Sequence, residues 1–173
     1  IGDLQSQALS LNNLGVLAKT RGDLSDAKRF YEASLEINKS IGDLQGGAVS
    51  LGNLGNIAQI RGDLSTAESL YHETLTVNRK IGNKKGEALS INNLGHLAKA
   101  KSNLSEAEQL YGQSLEINRS IGDRQNEAIS LGYLGTIAEQ FGKLAEAERL
   151  HQESLAIERE IGDRQGEAIS LHE

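Results

Sequence analysis

The chain has 173 residues and a net charge of −6; 38% of its residues are hydrophobic, only 3% are aromatic, and Pro, Cys, Met and Trp are absent. That length and apolar content suffice for an ordered core of Leu, Ile, Val and Ala, so disorder is not expected, and the lack of cysteine excludes a disulfide framework, a thiolate nucleophile and a cysteine-ligated metal. No apolar run approaches the roughly 20 residues that span a bilayer. The start, Ile1-Gly2-Asp3-Leu4, has no charged segment followed by an apolar one, so no leader is expected within the chain and a cytoplasmic location is compatible. Residues 1–120 carry 13 acidic and 13 basic side chains, whereas residues 121–173 carry 11 and 5, so the whole net charge sits in the C-terminal third. Without a basic stripe, neither nucleic acid nor an anionic membrane is expected as a partner. The acidic end reads as a solvated helix face, or alternatively as a docking site for a basic partner.

Ile-Gly recurs at Ile1-Gly2, Ile41-Gly42, Ile81-Gly82, Ile121-Gly122 and Ile161-Gly162, and Leu-Gly at Leu14-Gly15, Leu54-Gly55, Leu94-Gly95 and Leu134-Gly135, an unbroken period of 40 residues. Self-similarity at that period marks solenoids and propellers. The units are therefore residues 1–40, 41–80, 81–120 and 121–160, with the partial first helix of a further repeat in 161–173. The pattern starts and stops in mid-unit, as a stretch of a longer protein would.

In unit one, Ala8, Leu11, Leu14, Leu17 and Ala18 fall at the spacing of one helix face, which predicts a first helix stopped by Gly22. Leu24, Ala27, Tyr31, Ser34, Leu35 and Ile37 predict a second, closing at Ile41-Gly42. Unit two repeats this with a stop at Gly62 and a capping box from Ser65 to Glu68. Unit three has Ser102-Asn103 in place of the stop, with Asn as the expected substitute for Gly, and a second capping box from Ser105 to Glu108. Unit four stops at Gly142 but has Ala145 at the capping-box position, so its second helix should be less well capped, by about 1 kcal/mol. Each unit is thus two helices of about 16–17 residues, each roughly 25 Å long, and the fold class is all-α, an α-solenoid of antiparallel helix pairs.

Leu11, Leu14-Gly15, Ala18, Gly22-Asp23-Leu24, Ala27, Tyr31 and Ser34, echoed by Leu51, Leu54-Gly55, Ala58, Gly62-Asp63-Leu64, Ala67, Tyr71 and Thr74, resemble the tetratricopeptide repeat (TPR) over the whole chain. The 40-residue unit is similar to the arrays of spindle-orientation adaptors, kinesin light chains and bacterial signalling proteins. The resemblance implies a right-handed superhelix whose concave wall, lined by the first helices, holds an extended or helical peptide. It also implies that Gly15 lets the two helices of a pair approach, with the small Ala27 opposite. An Asn before the Leu-Gly would face the peptide. Those positions are Asn13, Asn53 and Asn93, with Tyr133 in unit four, and neighbouring wall positions include Asn12, Lys19, Asn56, Asn92, His96 and Lys99. An amide ladder can pair with peptide backbone without demanding a sequence. Two family features are absent: the Arg four residues before that Asn is replaced by Leu9, Val49, Leu89 and Ile129, and the Lys and Asn clamp for a C-terminal carboxylate is not in register. Units one and three share Asn12-Asn13 with Lys19 and Asn92-Asn93 with Lys99, while units two and four have Gly52 and Gly132. That pattern reads as an 80-residue alternation in the groove or as drift.

His72, His96, His151 and His172 lie at different phases of the repeat, so no metal site is expected, and no Gly-rich phosphate loop, nucleophile or acid/base pair stands out. No cofactor and no enzyme activity are expected. The chain reads as a scaffold for a protein or peptide partner, alternatively as a structural, self-associating spacer or sensor array of a larger signalling protein, associating through exposed terminal helices.

Overall fold

A computed structural model describes residues 2–162; the partial helix expected from residue 163 onward, His172 included, lies outside the described residues. The chain divides into two compact units. The first, residues 1–83, holds α1 (Gly2–Thr20), α2 (Leu24–Ile41), α3 (Leu44–Ile60) and α4 (Leu64–Lys80). The second, residues 84–173, holds α5 (Lys84–Ala100), α6 (Leu104–Ser120), α7 (Arg124–Gln140) and α8 (Leu144–Ile161). Within each unit every helix packs against its neighbour in sequence. The eight described helices make the fold all-α, and their antiparallel pairing places it in the α-solenoid class expected from the period. Ile161 and Gly162 belong to the end of α8 and its cap rather than to a further helix.

The turns explain why the helices break where they do. Gly22 has φ of 84°; its N–H donates to Lys19 O at 3.0 Å, and the Asp23 N–H donates to Ala18 O at 2.9 Å. This is the bond pair of a Schellman motif, which needs a left-handed residue at its centre. Asp23 then caps the start of α2 by accepting the Asp26 N–H at 3.1 Å. One short turn therefore ends one helix and starts the next. Asp43, Asp63 and Asp123 repeat the arrangement before α3, α4 and α7.

That geometry corrects three sequence expectations. The expected capping boxes do not set the helix starts: Ser65 lies inside α4 and donates to Asp63 Oδ1 at 3.0 Å, and the N-cap of α6 is Asn103, not Ser105. Asn103 caps poorly, since its amide donates to Glu106 Oε2 instead of its oxygen accepting a backbone N–H. In the α5–α6 turn the left-handed position falls to Ser102, at φ 62°, and not to Asn103. The weak start foreseen for the second helix of unit four is present, but its cause is Lys143, which stands where the other turns have Asp or Asn and makes no side-chain cap.

Inside each pair, a glycine of the first helix lies against a ring of the second. A Cβ on Gly15 would stand 2.5 Å from the Tyr31 ring, on Gly55 2.5 Å from Tyr71, on Gly95 2.7 Å from Tyr111 and on Gly135 2.6 Å from His151. The residue opposite Gly15 is therefore Tyr31 and not Ala27, which is buried in the same cluster with Ala18, Leu54 and Ile57. In the second unit, Ala98, Ala107, Tyr111 and Ile137 form the equivalent cluster, and Leu115, Ala128, Leu131, Ala138, Ala147, Leu150 and Ile157 form another.

A non-glycine residue in the left-handed region costs about 1 kcal/mol. Ser102→Gly should accordingly raise stability by roughly that amount, seen as a higher urea midpoint at unchanged slope; a midpoint equal to or below the parent's would show that the Ser102 conformation is unstrained.

Candidate functional site

On α1 and α3 a set of residues that escape the core lines one wall. An open groove of about 600 Å³ runs between the two helices, with Leu9, Asn13 and Val16 on one side and Gln45, Val49 and Asn53 on the other. Leu9, Val16 and Val49 are exposed although aliphatic. Asn13 is exposed and Asn53 half-buried, so the amides stand beside the apolar residues. No lysine, arginine or glutamate lines this groove; its one charged lining residue is Asp43, whose carboxylate already caps α3.

Asn12 lies beneath that wall. It is buried, and its amide donates to Ser34 Oγ at 2.7 Å and Ser50 Oγ at 3.0 Å, while its Oδ1 accepts from Asn53 at 3.4 Å. Ser34 in turn donates to Ala8 O at 2.8 Å and Ser50 to Gly46 O at 3.1 Å, and Asn38 completes the cluster. These bonds join α1, α2 and α3 through polar atoms that burial would otherwise penalise. Asn92, at the same phase in the second unit, is likewise buried. Asn12 is thus a packing group between helices rather than a wall group, and Asn92 is buried with its Oδ1 unpartnered among the described residues. The alternation with Gly52 and Gly132 therefore lies in the buried layer, where a Cβ on Gly52 would already touch Thr74 Cγ2 at 3.7 Å.

In the second unit the wall of α5 and α7 carries exposed Leu89 and Ile129, half-buried Asn93, and an aromatic cluster. Tyr133 meets His96 edge-on at 4.4 Å between ring centroids and Tyr111 at 5.0 Å, and Tyr111 Oη and His96 Nδ1 share a hydrogen bond of 2.9 Å. Burial, with Lys99 adding to it, holds the His96 pKa below its ordinary value. Among the described residues no helix is long and apolar enough to cross a membrane, and no three His, Asp or Glu side chains gather to hold a metal ion.

Family models described as tetratricopeptide repeat match residues 7–41, 46–120 and 86–160. The chain belongs to the tetratricopeptide repeat family. No curated protein matches it at a significant level. Among solved structures it is similar to the aspartyl phosphate phosphatase F of Bacillus subtilis, with a TM-score of 0.90 at 11% identity over 96% of this chain and 44% of that one. A signal transduction ATPase with numerous domains and a tetratricopeptide repeat sensor, from Pyrococcus horikoshii, gives 0.81 at 17% over 96% and 26%. BtubC (BKLC) of P. vanneervenii gives 0.78 at 21% over 90% and 64%. The chain spans less than two thirds of the length of each of these, and at such identities the likeness shows the fold alone.

Within this tetratricopeptide array the structure keeps Asn13, Asn53 and Asn93 on the first-helix walls and leaves Lys19 and Lys99 half-buried. Asn56 is tied to the pair contact: Tyr71 Oη lies 2.7 Å from Asn56 Oδ1 and 2.8 Å from Gln59 Oε1 and donates its proton to one of them. His96 serves Tyr111 in the same way. Tyr31 faces Val16 at that phase, and its hydroxyl has no hydrogen-bond partner among the described residues. The sequence reading did not single out Leu9, Val49, Leu89 and Ile129 as wall residues. The available signal was an aliphatic residue recurring one step past the core alanines Ala8, Ala48, Ala88 and Ala128, off the buried face.

The unequal tyrosines make a direct comparison. Tyr71→Phe should cost about 1 kcal/mol for the lost hydrogen bond, whereas Tyr31→Phe should be neutral or stabilising; equal losses in thermal melts would show that Tyr31 finds a partner in solution. His96 gives a pH dependence of defined sign. Its folded pKa is depressed, so the folded chain resists the proton that the unfolded chain accepts near pH 6.5. Stability should therefore fall as pH drops through about 6.5 toward the lowered value, and His96→Asn should shrink that loss, measured as the difference between melts on the two sides of this range.

Proposed function

We propose that the chain holds a segment of another protein along its first-helix walls. The observation that carries this reading is the α1–α3 groove, where exposed Leu9, Val16 and Val49 flank the amides of Asn13 and Asn53 with almost no charge. Tetratricopeptide repeats serve in general as protein-interaction scaffolds. Aliphatic side chains left in water beside amides that keep hydrogen-bonding capacity suit a segment that buries apolar side chains and satisfies its backbone at the same time. Asn93 with Leu89 and Ile129 supply the same chemistry in the second unit, and Tyr133 replaces the fourth amide by a ring. The reading takes residues 1–173 as one array of repeats 1–40, 41–80, 81–120 and 121–160, with a further one begun; the 40-residue register that runs unbroken through residues 80 and 81 supports this. It assigns the chain no catalytic step, in keeping with a fold that is typically a scaffold.

A library of random peptides displayed on phage and selected against the chain tests the proposal. Selected peptides should lose binding at least tenfold to Leu9→Asp/Val49→Asp and several-fold to Asn13→Ala/Asn53→Ala, with circular dichroism unchanged because these positions lie outside the core. Substitution of exposed Lys39, away from the groove, should leave binding intact. Peptides that bind all variants equally would place the binding surface elsewhere.

A further inference from the structure

Where the second helix of one repeat turns into the first helix of the next, the residue just before the incoming helix is Asp43, Asn83 or Asp123. Their surroundings differ. Asp123 Oδ1 accepts the Asn126 N–H at 3.1 Å, and its Oδ2 accepts the Asn126 amide at 2.9 Å and the Lys85 ammonium at 2.9 Å. Asn83 carries no charge, and its amide donates to Asn78 Oδ1 at 3.0 Å. Asp43 Oδ1 accepts the Gly46 N–H at 2.8 Å, but among the described residues its Oδ2 has only the neutral Gln5 amide, at 3.5 Å, the outer limit of a hydrogen bond.

The repeat register explains the difference. Gln5 holds the phase of Lys85 and Gly46 that of Asn126, so both groups that complete Asp123 Oδ2 are missing at Asp43. No side chain at position 46 can make up for them, because a Cβ there would stand 2.6 Å from Asn38 Oδ1. Asp43 lines the α1–α3 groove together with Gln5 and Gln45, at the end where both helices begin. An apolar segment laid on Leu9 and Val49 would strip water from this carboxylate, and nothing beside it offsets the charge.

Resting on the reading of this groove as a peptide-binding wall, we infer that the segment it holds carries a lysine or arginine that pairs with Asp43 Oδ2. The cation takes the place that Lys85 has beside Asp123 in the second unit. A segment without it leaves the carboxylate dehydrated and unpaired, so the atom that attracts basic segments also rejects neutral and acidic ones. Val49 lies about 9 Å further along the helix than Asp43 at ~1.5 Å per residue, a distance that about three residues of extended chain cover. The basic residue therefore stands about three positions from the aliphatic residue that covers Leu9 and Val49. The wall of the second unit, where Lys85 already offsets Asp123, makes no such demand.

Parallel selections of phage-displayed random peptides against the intact chain and against its Asp43→Asn and Gln5→Lys variants test this. Asn is among the best helix caps and already stands at this phase as Asn83, and Gln5→Lys repeats the native Lys85, so circular dichroism should not change. Peptides selected on the parent should be enriched in Lys or Arg about three positions from an aliphatic residue, and peptides selected on either variant should not. For a synthetic peptide from the parent selection, exchange of its basic residue for Gln should weaken binding to the parent roughly fivefold and to either variant hardly at all. Two results overturn this inference and leave the groove reading standing: peptides that need Leu9 and Val49 but show no basic enrichment, or a Gln exchange that weakens binding to the variants as much as to the parent. Peptides indifferent to Leu9→Asp/Val49→Asp overturn both.

Discussion

Everything in the pair geometry follows from a backbone segment without a side chain lying against a ring. At Gly15, Gly55, Gly95 and Gly135 the clearance to the partner ring would be 2.5–2.7 Å for any Cβ, well inside van der Waals contact, so no other residue fits while the helices keep their spacing. The contact also fixes rotation. With the ring edge pressed on the glycine, the tyrosine hydroxyl emerges near the residue one step further along the first helix, which is why Asn56 and His96 are its partners. Burial pushes the Tyr71 hydroxyl up to about 12, so it remains a proton donor throughout the physiological range. The packed pair thus passes its orientation to the wall through a hydrogen bond.

Once that rotation is set, each first helix divides into three environments. In α3, Ala48, Leu51, Leu54, Gly55 and Ala58 face the apolar core, Ser50 faces the polar layer, and Val49 and Asn53 are left for the wall. The polar layer recurs in three of the four repeats: Ser34, Ser114 and Ser154 each donate to the backbone carbonyl 26 residues earlier, at Ala8, Ala88 and Ala128, whereas Thr74 donates to Leu70 O of its own helix. A carbonyl made available to a cross-helix donor inside the array binds the first helix to the second at a fixed height as well as a fixed angle. Apolar contacts alone specify height less strictly, because aliphatic side chains slide past one another at little cost.

The sequence disclosed the helices, their order and their breaks, because glycine and aspartate at a constant period have only one reading in a helical pattern. It was less informative wherever a side chain had a choice of partners. Asn12 looked like a wall amide since polar residues usually face water, yet serine at positions 34 and 50 gave it a buried alternative. The serines at 65 and 105 matched a capping box, but an aspartate or asparagine two residues earlier was already at the helix start. Leu9 and Val49 were legible only as the absence of arginine. Their exposure depends on the rotation imposed by the glycine and ring contact, which no single-helix pattern contains.

The placement of charge separates the surfaces by the physics each would use. In the second unit the acidic surplus is largely engaged with basic neighbours. Glu127 pairs with both Arg119 and Arg124, Glu153 with Arg119 and Arg149, Glu160 with Arg124 and Glu108 with Lys143. Most of these pairs are substantially exposed and contribute little to stability individually, but they occupy the flanks of α6, α7 and α8 rather than the wall. The groove between α1 and α3 is left aliphatic and amide-lined. A surface of that kind discriminates by shape and by burial of apolar groups, with weak dependence on salt.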